Sequence, residues 1–360
     1  MDNEKDNKLF REAPMPSPRN RGGRPTLSEV AARAGVGRGT ASRVLNNSSQ
    51  VSPAVRAAVQ EAMEELGYVP NRAARALVTQ RTDSVALVIS ESGERAFGEP
   101  FFAEIARGIS EGLADTPLQL WLSWVQSPAA HAKMEEQLTD QHVDGVMLIS
   151  LHDRDPLPAL LIQRGLPTVL GGRPARMLED TDHIPFVDVD NAGGGRQAVE
   201  HLLATGRRRI ATIAGPQDMG AGLSRLAGYR QAVAASGQAV DENLVDYGDF
   251  TAEAGFAAMR RLLERRPDLD AVFVASDLMA MGAMGALREA GRRVPQDVAV
   301  VGFEDSSLAV QSSPPLTSVH QPVAEMGRQM ARMLVAQING EVLDPPHILL
   351  STDLVRRQSA

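Results

Sequence analysis

The sequence predicts two units of different class: a small all-α headpiece, and behind it an α/β body of two doubly wound parallel-sheet subdomains. Three observations lead there. Three short helical patterns with matching caps fill residues 24–69, short apolar strands then alternate with helical stretches, and the charge divides between the two units. Of 360 residues, 43% are hydrophobic, which suits two or three globular units with a sizeable core. The net charge is -8, but residues 21–81 hold nine arginines against four glutamates, +5, and the first twenty residues balance, so residues 82–360 carry -13. A basic module joined to an acidic body is expected to meet a polyanion through the module alone.

Composition also excludes functions. Cysteine is absent, which removes disulfides, thiolate nucleophiles and cysteine metal sites. The seven histidines form neither H-x-x-x-H nor H-E-x-x-H, so no metal and no cofactor are expected. The longest apolar runs, "VALVI" and "VAVVGF", fall far short of the roughly 20 residues of a membrane span, and no membrane partner is expected. Residues 1–23 mix charge with proline and lack an apolar signal core; they are expected to be a disordered tail of a cytoplasmic chain.

In the headpiece, residues 24–69, "TLSEVAARAG" opens with a capping box between Thr26 and Glu29. Leu27, Val30, Ala31 and Ala34 share one face, and Gly35 is placed to end the helix in the left-handed region. The next pattern, "RGTASRVLN", turns Ala41, Val44 and Leu45 inward and leaves Arg38, Gly39, Ser42, Arg43 and Asn46 outside. A third helix starts at Ser52 and Pro53, buries Val55, Val59, Met63 and Leu66, and stops at Gly67. Three short helices with a glycine turn between the first two describe a helix-turn-helix, whose second helix enters the DNA major groove. Arg38 and Arg43 are then the candidates for guanine O6 and N7. Thr26, Thr40, Ser42 and Asn46 suit phosphate or helix-end contacts, and Gly39 removes a side chain where the helix end approaches DNA.

Residues 70–81 form a linker. Pro70 breaks the chain, and "NRAARALV" reads as a short helix with alanines at 73, 74 and 76 and one large side chain, Leu77. Two readings stand: a linker helix packed on the body, or a helix whose leucine wedges into the minor groove.

The segment "TLSEVAARAGVGRGTASRVLNNSSQVSPAVRAAVQEAMEELGYVPNRAARAL" resembles the headpiece and hinge of the LacI/GalR, or lac repressor, family of bacterial transcription regulators, and the likeness continues over about nine-tenths of the chain. The resemblance implies a homodimer on double-stranded, palindromic operator DNA, with Asn71, Ala74 and Leu77 of the paired hinge helices at its centre. Where the family has a serine before the recognition helix, this chain has Gly37. "NRGGRP", just before the headpiece, reads as a flexible leader or as an AT-hook-like core.

In the body, "SVALVIS", "LQLWLSW", "DGVMLIS", "PTVLGG", "RIATIAG", "AVFVAS" and "VAVVGF" read as buried parallel strands. Helices are expected over 101–115, 191–205 and 277–290, and "HILLSTDLVRRQS" as a returning strand. The resemblance implies a periplasmic-binding-protein-like core with three crossovers, the first near Asp190 and the second near Gln321. Its subdomains would be about 82–190 with 322–342, and 191–321 with 343–360. No leucine heptad follows Asp353, so no coiled-coil tail is expected.

Ligands of such sheets bind at the carboxyl ends of the strands. Phe101, Phe102, Arg173, Arg225, Phe250, Ser276, Asp277, Glu304 and Gln321 fall there, and the resemblance implies effector contacts at each. Charged and amide groups beside aromatic faces suit a mono- or oligosaccharide. Relatives that answer sugars often carry an asparagine or aspartate before "PFF" and an aspartate in "GFDD"; this chain has Glu99 and Glu304. "EPFF", "LGGRP" and "RGTASRV" are similar to a branch that answers cellobiose and related β-glucosides. The run "NAGGGRQ" lacks both nucleotide-loop patterns and is expected to be a tight βα turn.

The expected function is an effector-controlled transcriptional repressor of carbohydrate-utilisation genes. The alternatives are a sugar-binding protein of the transport type, against which the headpiece argues, and a regulator answering a non-sugar metabolite. An enzyme is not expected, because nucleophile elbow, metal set and nucleotide loop are all absent.

Overall fold

Capping chemistry sets the headpiece in the computed structural model, which describes residues 25–45, 48, 50–69, 81–91, 98–125, 128–139, 142–175 and 184–360. Helix α1 (Leu27–Arg33) is closed at its start by the Thr26 amide donating to Glu29 Oε2 at 2.7 Å, with the Glu29 amide returning to Thr26 Oγ1 at 3.4 Å. At its end Gly35 adopts φ 67°. The Val36 amide donates to Ala31 O and the Gly35 amide to Ala32 O, which satisfies two of the last carbonyls. Gly37 caps α2 (Arg38–Leu45), its carbonyl accepting from the Thr40 and Ala41 amides. Ser52 caps α3 (Pro53–Leu66), and Gly67, at φ 60°, ends it. Val30, Ala31, Ala41, Val44, Val59 and Ala62 form the small core these three helices share.

The body, a second unit, holds two six-stranded sheets. The first orders β11 (His347–Leu350), β5 (Phe186–Val189), β4 (Thr168–Gly171), β3 (Gly145–Ile149), β1 (Ser84–Ile89) and β2 (Gln119–Trp124), all parallel. In the second the order is β12 (Asp353–Val355), β10 (Thr317–His320), β9 (Ala299–Glu304), β8 (Ala271–Val274), β6 (Ile210–Ala214) and β7 (Val245–Tyr247), with only β12 antiparallel. Helices α4 (Pro100–Leu113), α5 (Pro128–Gln137), α6 (Leu157–Gln163) and α12 (Val323–Ile338) flank the first sheet. Helices α7 (Asn191–Ala204), α8 (Gly220–Ala235), α9 (Ala252–Arg265), α10 (Asp277–Glu289) and α11 (Ser307–Gln311) flank the second. Each sheet is thus buried on both faces, which is why its strands read as unbroken apolar runs. Among the described residues no helix is long and apolar enough to cross a membrane.

The chain passes between the subdomains at Asp190, at Gln321 and at Ser351–Thr352. This corrects the expected boundary: residues 347–350 join the first sheet, and "HILLSTDLVRRQS" is two short strands rather than one. The physical reason lies in the third crossover. β11 ends where the parallel strands present their carboxyl ends, so the chain enters the second sheet from that edge and β12 must run backwards.

Three further expectations change. β2 is an edge strand with Trp121 50% and Leu122 45% exposed, so it is not buried. The glycines of "NAGGGRQ" lie inside α7 rather than in a turn. A Cβ on Gly195 would stand 2.6 Å from Arg225 O, and one on Gly194 2.7 Å from the Phe303 ring. Their absence lets α7 press against α8 and β9. Finally β5, β7 and β10 were not among the expected strands; each is three or four residues long and carries a polar residue, which hides the apolar run.

Candidate functional site

On the headpiece, burial of Ala41 and Val44 turns the opposite face of α2 outward. Arg38, Gly39 and Arg43 are exposed on it, with Thr40 and Ser42 half-buried at its margins. Thr26 is exposed, but its hydroxyl is engaged with Glu29 Oε2 at 3.0 Å. Asn46, Asn71, Ala74 and Leu77 lie outside the described residues.

In the body, the carboxyl ends of both sheets meet around a cleft lined by Phe101, Phe102, Arg173, Arg225, Phe250, Glu304 and Gln321, together with Glu99, Ser150, Leu151, Gly171, Gly172, Asp188, Asn191, Met219, Ala221 and Met326. Several strand ends turn sharply to aim side chains here: Ser150, Phe250 and Glu304 have φ of 58°, 71° and 108°. Left-handed backbone at non-glycine residues costs on the order of 1–3 kcal/mol and persists only where its surroundings impose it.

Arg225 organises the cleft. Its Nε donates to Asn191 Oδ1 at 2.9 Å, Nη1 to Ala275 O at 2.6 Å, and Nη2 to Gln321 Oε1 at 3.1 Å. Asn191 follows the first crossover and Gln321 stands at the second, so one buried guanidinium ties both. Across the cleft Arg173 Nε donates to Asp188 Oδ2 at 3.1 Å, and its Cζ sits 4.5 Å from the centre of the Phe186 ring. Asn191 Nδ2 donates to Asp188 Oδ1 at 3.0 Å, linking the two arginine clusters.

Carboxylates outnumber the guanidinium groups. Burial pushes Glu304 up to about 8, with Asp277 adding to the rise and Arg225 opposing it. Asp277 is itself raised to about 6 by burial, and Asp188 is raised by burial despite Arg173. Burial lowers Arg225 to about 10 against the pull of Glu304, Asp188 and Asp277, so it stays charged at neutral pH. A site with aromatic faces, fixed donors and carboxyl groups can bind a polyhydroxylated molecule.

Known proteins resemble the chain along most of its length. The model for "Bacterial regulatory proteins, lacI family" matches residues 26–71, and that for "Periplasmic binding protein-like domain" matches residues 199–360. Over 336 residues the chain is 57% identical to the HTH-type transcriptional regulator CelR of Thermobifida fusca, covering 93% of this chain and 98% of that one. The chain belongs to the LacI family. As a family member it is a DNA-binding transcriptional regulator. It is also 34% identical to the ribose operon repressor of Escherichia coli (strain K12) over 93% of this chain and 99% of that one. Among solved structures, a transcriptional regulator CelR–cellobiose complex is similar with TM-score 0.75 and 55% identity, covering 94% of this chain and 100% of that chain. The lac repressor dimer bound to operator and the anti-inducer ONPF is similar with TM-score 0.79 and 29% identity, covering 93% and 98%.

Two residues expected at the LacI-family cleft are not brought into it. Ser276 is buried as the cap of α10, its Oγ accepting from the Met279 amide at 3.2 Å. Asp277 accepts from Ser318 Oγ at 2.6 Å and from the Ser306 amide at 2.7 Å, behind Glu304. A helix starting directly after a buried strand needs its first amides satisfied, which Ser276 does, while Asp277 fixes the loops that carry Ser306 and Ser318. Conversely, Asp188 and Asn191 do line the cleft. They flank the end of β5, so recognising "FVDV" as a strand is what finds them. Glu99, the N-cap residue of α4, makes no capping hydrogen bond there and is nearly buried beside the cleft.

Proposed function

We propose that the chain represses carbohydrate-utilisation genes as a homodimer on a palindromic operator, and that a small oligosaccharide of the cellobiose class, held in the cleft, changes its operator affinity. The observation that carries this is the cleft: Arg225 is held at three sides and its Cζ lies 3.7 Å from the Phe303 ring centre, beside Phe250 and Glu304. The choice of cellobiose follows the ligand of the similar CelR complex. The cleft encloses about 80 Å³. Small-molecule sites start at roughly 300 Å³, so the subdomains open as ligand enters. That opening is the two-state element on which an effector acts, since a ligand shifts only an equilibrium between states it binds differently.

On the DNA side, Arg38 and Arg43 read base edges, Thr26, Thr40 and Ser42 contact phosphates, and Gly39 permits close approach. Asn46, Asn71, Ala74 and Leu77 complete the operator contact. Dimerisation is supported by Trp121 and Leu122 on β2 and Tyr247, 46% exposed, on β7. These are the corresponding edge strands of the two sheets, and exposed apolar groups on open edges favour burial against a second copy. The chain acts by binding rather than by catalysis, in the cytoplasm where operator DNA lies.

The test is titration of the purified chain onto DNA recovered by binding-site selection, with and without cellobiose. The expected result is a palindromic consensus and an operator affinity that cellobiose shifts by about 5–150-fold. A consensus without dyad symmetry overturns the dimer, and an affinity that no oligosaccharide shifts overturns the effector class.

A further inference from the structure

A second set of contacts closes the cleft beside the effector cavity. The loop ahead of α8, in the second subdomain, meets two strand-end loops of the first. The Asp153 amide donates to Asp218 O at 3.1 Å, and the Gly220 amide to Arg173 O at 2.9 Å. One side-chain pair joins the same edges. His152, in the loop after β3, places Nδ1 2.9 Å from Asp218 Oδ2 and Nε2 3.4 Å from Glu91 Oε1. Glu91 follows β1 and also accepts from Ser150 Oγ at 2.7 Å. The imidazole thus stands between a nearly buried carboxylate of its own subdomain and a half-exposed one from the other.

We propose that His152 and Asp218 form a charge latch across the mouth of the cleft, which holds the ligand-free body closed and slows the passage of effector in both directions. Position supports this. Gly220 begins α8, which carries Ala221 and Arg225 of the cavity wall, so separating Asp218 from His152 frees the helix that bears the central guanidinium. None of Glu91, His152 and Asp218 lines the cavity, so they bear on opening and not on ligand contact. The charged groups acting on the ring are Glu91 from the end of β1 and Asp218 from the loop before α8; Asp153 and Arg154 follow it in its own loop.

The latch is charged at neutral pH. The hydrogen bond that the ring donates to Glu91, opposed by burial and helped by the one it donates to Asp218, pushes His152 up to about 9. Glu91 belongs to the same subdomain as His152 and stays beside it when the cleft opens, so only the part of the rise due to Asp218 bears on closure; that part is present while the ring is protonated and is lost as pH rises through about 9. Alkali therefore opens the latch.

The kinetic arm of the test rests on the cleft being the effector site; the first arm does not. Hydrogen exchange on the ligand-free full chain, corrected for the intrinsic pH dependence, reads the Asp153 and Gly220 amides. Asp218→Asn and His152→Gln are expected to speed their exchange roughly two- to fivefold at pH 7, the size of a half-exposed ion pair. The double variant should add nothing further, and wild type should converge on the variants near pH 10. Stopped-flow mixing with cellobiose is expected to show association and dissociation both faster in the variants. Unchanged exchange in both variants at pH 7, or an alkaline rise that persists in His152→Gln, overturns the latch. If wild type does not bind cellobiose, the effector reading fails and the exchange data still decide the latch.

Discussion

Arg225 packs on Phe303, its Cζ 3.7 Å from the ring centre, and both are buried. Phe303 comes from β9 and Arg225 from α8, and Gly194 of α7 leaves room for the ring by having no Cβ. A guanidinium is weakly hydrated and stacks on aromatic faces, which makes it the cation best suited to such a place. Its nitrogens then go to the neutral acceptors Asn191, Ala275 and Gln321.

Arg225→Ala leaves three acceptors, on Asn191, Ala275 and Gln321, without their donor. Each unsatisfied buried group costs about 1–3 kcal/mol, so a clear fall in unfolding temperature is expected. In the folded fraction, operator affinity should stay within about threefold of wild type, because the phosphate and base contacts are untouched. Cellobiose should no longer shift it. Thermal unfolding and operator titration together check this, and a full ligand response at the wild-type concentration defeats the assignment.

Glu304→Gln should stabilise the body in a pH-dependent way. Burial raises Glu304 to about 8, so the folded state keeps a proton that the unfolded state has lost between its ordinary value near 4.5 and about 8. Stability contributed by this group therefore falls as pH rises across that window. The variant should gain on wild type at pH 8 relative to pH 5, by up to about 4 kcal/mol. Parallel denaturant titrations at the two pH values measure the difference; an equal gap at both removes the buried carboxyl as its cause.

Gly195→Ala places a methyl 2.6 Å from Arg225 O, a backbone atom that cannot rotate away. Overpacking of this kind costs about 1–3 kcal/mol. Because the displaced segment carries Arg225, cellobiose affinity should drop together with stability. Calorimetric titration against cellobiose, with unfolding measured in parallel, tests the coupling, and a loss of stability at unchanged affinity refutes it.

Arg38 and Arg43 stand exposed on α2, and replacing either by alanine should cost roughly 1–3 kcal/mol of operator binding. Each should relax base preference at one symmetric pair of operator positions. Binding-site selection with each variant reads this directly; the wild-type consensus from both excludes them as base readers.

The headpiece was legible because its determinants are local. Thr26 with Glu29, Gly35, Ser52 with Pro53, and Gly67 all act within six residues of chain, and each occupies the role its position predicts. The long apolar strands were legible for a similar reason: a strand buried on both faces announces itself by composition. Short strands with an interior polar residue, such as "FVDV", do not, and with β5 unrecognised Asp188 and Asn191 went unassigned to the cleft.

By itself, then, the sequence determined two units of different class, the helix-turn-helix with its outward Arg38 and Arg43, most of the parallel strands, and seven residues that line the cleft, some at strand ends and others, such as Phe101 and Arg225, on the helices beside them. Tertiary structure alone decided what those residues meet. The bonds of Arg225 to Asn191 and Gln321 and the split of β11 from β12 depend on where the chain crosses between subdomains, while the bond from Arg173 to Asp188 and those of Asp277 to Ser306 and Ser318 depend on which loops the sheets bring side by side. The glycines of "NAGGGRQ" show the reason. A turn and a close helix contact both call for a missing Cβ, and only the position of the Arg225 backbone and the Phe303 ring tells which one is present.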